Sequence, residues 1–118
     1  MHNAAQAYHQ TAKITSEPRE LESSLLLRAA SQLQDIKDNW DERQDQIDQV
    51  LMFNRKLWTI IVTSATDETN PLPQEIKNNI GSLAAFIFGQ TLRVQARPEP
   101  EKLNSLISIN RNIAAGLA

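Results

Sequence analysis

Two proline-bearing breaks, Asn70-Pro71-Leu72-Pro73 and Arg97-Pro98-Glu99-Pro100, set the frame for this chain. A proline ring removes a backbone donor and pushes the preceding residue out of the α region, so no helix crosses either stretch. Around them, apolar residues recur at helical spacing. Leu21, Leu25, Ala29, Leu33 and Ile36 form one stripe, widened by Leu26, Leu27 and Ala30. Ile76, Ile80, Leu83 and Ile87 form another in a helix starting at Pro73, and a last helix runs from Pro100 or Glu101 to about Ala115, with Gly116 as its stop. Three glycines in 118 residues, against many Ala, Leu, Gln, Glu and Ile, favour helix over turn-rich sheet. Residues 92–96 alternate in polarity, but the run is too short to outweigh the rest. The expected fold is all-α, a compact single-domain bundle of about four to five helices over residues 1–118.

Two stretches are less regular. Residues 4–13 predict a short, weakly amphipathic helix with Tyr8 as its main apolar side chain, and residues 1–15 are either frayed or a short helix. Ser16 is placed to cap the next helix, with Glu17 and Pro18 in its first turn. Residues 35–46 are nearly all polar apart from Trp40. They are a turn or a continuous solvated helix; the expectation is a break near Asn39, with helix from about Asp41 to Ala65.

The pair Asn-Arg occurs twice in an apolar setting, in FNRKLW (53–58) and INRNIA (109–114). At about 100° per residue from Ile47, the residues Val50, Leu51, Leu57, Trp58 and Ile61 share a stripe about 120° wide, and Asn54 falls in its middle. Counted from Leu103, the residues Leu106, Ile107, Ile113, Ala114 and Leu117 repeat those angles in order, and Asn110 repeats that of Asn54. Arg55 and Arg111 fall together on the border of the stripe, where a stem lies on apolar surface and the head stays wet. Phe53 and Ile109 match on a second facet. An Asn inside such a stripe costs about 1–3 kcal/mol unless hydrogen-bonded. Such a residue fixes the register of packed helices, as in coiled coils, or grips a partner's backbone. Asn79, at a stripe edge, is a candidate to join them.

Much chemistry is missing. There is no Cys, which excludes disulfides and thiolate metal sites. His2 and His9 are seven apart, the wrong spacing for a metal pair on one helical face. No Gly-rich phosphate loop and no Gly-x-Ser-x-Gly elbow occur. Asp35, Asp38, Asp41, Glu42, Asp45 and Asp48 read as a solvated face. The expectation is no enzyme, no cofactor and no metal. A net charge of −2 with balanced signs argues against direct nucleic-acid binding. No run approaches the roughly 20 apolar residues of a membrane span, and the N-terminus lacks the pattern of a secretory signal. A cytoplasmic protein is expected. Apolar residues on two facets (Phe53 and Ile60; Phe86 and Phe88) fit either a central helix or a facet left for a partner helix.

Taken in order, PRELESSLLLRAA (18–30), FNRKLWT (53–59), NPLP (70–73) and PEKLNSLISINRNIAAGL (100–117) resemble the FlaF family of flagellar biosynthesis proteins. The resemblance spans the chain from about Ala5 to Gly116. It implies a small helical factor, without catalysis, that acts positively in the synthesis and export of flagellin. The partner implied is flagellin, through its terminal helical segments, with the regulator FlbT as a second candidate. Two mechanisms follow: a cytoplasmic flagellin-binding chaperone, or a post-transcriptional regulator acting with FlbT on flagellin messenger. The family-matching positions are Phe53, Asn54, Arg55, Leu57, Trp58, Asn110 and Arg111. Phase places Asn54, Leu57 and Trp58 towards the core and Arg55 and Arg111 at the border. The partner-binding candidates are Phe53, Arg55, Trp58, Asn110 and Arg111. Oligomeric state stays open.

Overall fold

A computed structural model describes residues 4–117, with side chains from Arg19 onward. The elements are α1 (Ala4–Asp38), α2 (Trp40–Arg43), a 3-10 turn (Gln44–Gln46), α3 (Ile47–Thr66), α4 (Gln74–Ala96), a second 3-10 turn (Pro100–Leu103) and α5 (Asn104–Leu117). No strand occurs among the described residues, so the fold is all-α. α1 runs unbroken from Ala4 through Ser16 and Pro18 to Asp38, so the separate short helix over 4–13 and the helix start capped by Ser16 are not found; the side chains of Tyr8 and of both histidines fall outside the described residues.

The α1–α2 corner forms where the sequence runs out of apolar residues. Asn39 leaves the helical region (φ −122°, ψ 43°), and its side-chain amide donates to Asp35 O at 3.0 Å and Asp35 Oδ1 at 3.1 Å. Its own carbonyl accepts from Glu42 and Arg43 N–H, which starts α2. The break near Asn39 is therefore found. The helix expected from Asp41 is not: it begins at Ile47, after one α-helical turn and one 3-10 turn with no buried residue in either. Between Trp40, which packs against the core, and Ile47, no side chain gains from facing inward, so nothing sustains a longer helix.

Both proline breaks are present. Asp67 ends α3 in an extended conformation, and its carboxylate accepts from Thr69 N–H at 2.8 Å and from the Thr69 hydroxyl. Asn70 returns its amide to Ser64 O at 3.0 Å, and its Oδ1 accepts from Leu72 N–H. Lys77, with only 9% of its surface exposed, reaches back from α4 so that Nζ donates to Asp67 O at 2.8 Å. At the second break, Lys102 Nζ donates to Arg97 O at 2.6 Å, and Gln90 Nε2 of α4 donates to Lys102 O at 2.9 Å. Pro100 opens a 3-10 turn before α5 begins.

Connections this short make successive long helices antiparallel. α1 lies along α5 and also along α3, while α3 lies along α4. Leu26, Ala30, Leu33 and Ile36 meet Leu51, Trp58, Ile61, Ile87, Val94 and Leu106 in one core. Its centre on α1 differs from the expected stripe. Leu26 and Ala30 are fully buried, Leu25 is half-buried, and Leu21 is 60% exposed. The stripe is thus rotated away from Leu21 because α1 must face α5 and α3 at once. Ile76 is 41% exposed and Asn79 is exposed, so neither joins the core. Residues 92–96 lie in α4, and Gly116 lies within α5 rather than ending it.

Candidate functional site

The Asn-Arg stretches separate into an interior and an exterior part. On α3, the side chains of Ile47, Leu51, Asn54, Leu57, Trp58, Ile61 and Ala65 are buried; on α5, Leu106, Ile107, Asn110 and Ala114 are. The two asparagines meet inside the core. Asn110 Nδ2 donates to Asn54 Oδ1 at 2.7 Å and points to Leu26 O at 3.5 Å, while Asn110 Oδ1 accepts from Trp58 Nε1 at 2.9 Å. One amide thereby joins α3, α5 and the backbone of α1. Close by, Ser23 Oγ donates to Ala114 O at 2.9 Å, which fixes α1 against α5 again. Asn54 Nδ2 has no partner among the described residues. Hydrogen bonds here are strong because the surroundings are apolar, and the same surroundings make the unpaired amide costly, by about 1–3 kcal/mol.

This placement corrects two of the five partner-binding candidates. Trp58 and Asn110 are fully buried, with their polar atoms turned to each other, and offer no surface to another molecule. The remaining three are accessible but do not share a surface. Phe53 is half-buried on the flank of α3 that faces α1, where the Arg28 guanidinium stands 5.8 Å from its ring centroid. Arg55 is exposed, about 200° further round the same helix, and so lies on the opposite flank. Arg111 is exposed and borders a shallow depression of about 250 Å³ with Gln34, Asn104 and Ser108, between α1 and α5. Equal phase on two parallel helices placed diagonally in a bundle puts matching residues on opposite sides, which is why the two arginines diverge.

Between α1 and α3 lies a larger groove of about 450 Å³. Ile36, Val50 and Phe53 supply its apolar part, and Arg28, Asp35 and Arg43 its charges. Arg43 and Asp35 pair at 2.8 Å. Arg28 and Arg43 are site residues that the sequence reading passed over. The available signal was the position of Arg28 beside the Leu25 edge of α1, but its significance needs the α1–α3 pairing. The carboxylates at 35, 38, 41, 42, 45 and 48 are all exposed, as a solvated face requires. Two acids titrate away from their usual range. Partial burial raises Glu22 on α1, opposed by Arg19, and the hydroxyl and N–H of Thr69 lower Asp67. Among the described residues no three metal-ligating side chains cluster, and no helix is long and apolar enough to cross a membrane.

Fold and site together define a small all-α bundle that presents grooves and exposed aliphatic side chains around an internally braced core. The sequence model of the family described as flagellar protein FlaF matches residues 4–117. The chain therefore belongs to the FlaF family, and its role lies in flagellar biogenesis. No curated protein and no solved structure matches it.

Proposed function

We propose that this protein is a cytoplasmic flagellin-binding chaperone, a positive factor in flagellin synthesis and export. The observation that carries this reading is the set of large apolar side chains left on the surface of a bundle whose core is already closed. Leu21, Leu27, Met52, Ile60, Phe86 and Leu92 are exposed while the core beneath them is fully buried. They stand on α1, α3 and α4, and an amphipathic helix laid over any of them would bury apolar surface. The terminal segments of flagellin, unstructured before assembly and helical in the filament, are clients of that chemistry, because their apolar faces invite aggregation until they pack. A regulator acting on flagellin messenger beside FlbT is the competing reading. The exposed acids at 35–48 work against direct contact with a polyanion.

The test is a calorimetric titration with the organism's own flagellin at low and high salt, repeated with flagellin lacking its terminal segments. Binding that tolerates salt and disappears with the truncation supports the chaperone. Absence of binding to flagellin, with salt-sensitive binding to the messenger, sinks it.

A further inference from the structure

The α1–α3 groove has a charge arrangement unlike the surface beside it. Arg43 is matched by Asp35, whereas Arg28 has no carboxylate within ion-pair reach among the described residues. Formally the groove carries two guanidinium groups and one carboxylate, an excess of one positive charge. Past its end the corner residues Asp38, Asp41, Glu42, Asp45 and Asp48 are exposed. A polyanion lying along the groove would run into those carboxylates. A single carboxylate delivered to Arg28 would not. Phe53 lies under the guanidinium and, with Val50, provides an apolar contact next to the charge. Gln32, Gln46 and Gln49 add amides along the walls, suited to polar side chains on either side of an apolar stripe. From Arg28 to Ile36 on α1 is about 12 Å of helix, or roughly two turns.

We infer that the α1–α3 groove receives about two turns of an amphipathic helix of the partner, with Arg28 binding an Asp or Glu of that helix and Phe53 contacting the apolar residue one turn away. This rests on the chaperone reading and names a surface for the client helix that lies apart from the exposed residues Leu21, Leu27, Met52, Ile60, Phe86 and Leu92, none of which lines the groove. One half-exposed ion pair adds only a shallow salt dependence to binding driven by apolar contact, so the two statements agree.

The experiment titrates full-length monomeric flagellin into the whole chain and into two charge reversals, Arg28→Glu and Arg97→Glu. Arg97 is the control, since it lines neither the α1–α3 groove nor the α1–α5 depression and 84% of its side chain is exposed. The expected result is at least about tenfold weaker binding by Arg28→Glu, because like charges then meet at the contact, with no change for Arg97→Glu. Thermal melts of both variants should match the parent, as exposed positions allow. In a parallel titration, the amide resonances of Gln32, Gln49 and Phe53 should shift. Equal affinity of parent and Arg28→Glu would overturn the groove assignment and leave the chaperone standing. No binding by the parent would overturn the chaperone and the groove with it. Binding of a flagellin messenger fragment that Arg28→Glu abolishes would show the wrong occupant.

Discussion

Asn110 donates its side-chain amide to Asn54 across 2.7 Å of closed core, between residues 56 apart in sequence that occupy the same phase on two helices. Their equivalence ends there. Asn110 uses its oxygen for Trp58 and directs its nitrogen to Asn54 and Leu26, whereas Asn54 leaves its own Nδ2 unpaired. Replacing each with Leu therefore has unequal consequences. Asn110→Leu strands the Trp58 N–H and the Asn54 carbonyl together and should cost about 3–5 kcal/mol. Asn54→Leu removes a donor that already lacks a partner and frees one N–H of Asn110, for a net loss of about 1 kcal/mol or less. Urea unfolding of both variants measures the difference; equal losses would show that the orphan amide is satisfied in solution.

Trp58→Phe probes the same brace from the other side. The ring bulk is largely kept, but Asn110 Oδ1 loses its donor in a site with no water access. A loss of about 1–3 kcal/mol is expected, from the unpaired acceptor and the smaller ring. A parental midpoint in the same denaturant titration would mean that Asn110 can turn its amide to another donor.

Lys77 tests the α3–α4 turn. Its buried stem and the bond from Nζ to Asp67 O close that turn, but the carbonyl also accepts from Asn70 N–H at 3.0 Å. Lys77→Met keeps the stem and leaves the carbonyl satisfied, so the cost should be about 1 kcal/mol. Hydrogen exchange should quicken for the amides of residues 67–70 and of Leu72 and stay unchanged in α1 and α5.

The two shifted acids give stability opposite dependences on pH. Glu22 holds its proton more tightly when folded, since burial raises it above 4.5. Its contribution is therefore fully present below that value and is lost as pH rises through the higher folded one. Asp67 holds its proton less tightly when folded, below its usual 3.8. Its contribution is present above that value and is lost as pH falls through the lower folded one. Melting curves should show Glu22→Gln more stable than the parent near neutral pH, with the gain gone in acid. Asp67→Asn should be less stable near neutral pH and converge with the parent in strong acid.

Arg55 and Arg111 sit on different flanks, so one docked helix cannot use both. Each change to Ala should leave stability within about 0.5 kcal/mol, as at other exposed positions. In flagellin titrations at most one of the two should lose affinity. Loss by both would require a partner that wraps the bundle.

Helix content, both proline breaks and the buried faces of α3 and α5 follow from the sequence, because a helical period and the absence of a proline N–H act within a few residues. Asn54 and Asn110 are legible as buried polar residues for the same reason. That they bond to each other, that Trp58 completes the brace, and that one amide is left over depend on how α3 and α5 cross the core, which no local pattern encodes. The same holds for the exterior. Phase marks Arg55 and Arg111 as border residues, but only the diagonal placement of their helices sends them to opposite sides. Leu21 shares the spacing of the α1 stripe and still ends exposed, because α1 turns its face to two neighbours whose positions are set elsewhere in the chain. The groove beside Arg28 is a property of α1 and α3 together. Periodicity decides which face of a helix is apolar; the packing of the helices decides what that face meets and what is left open.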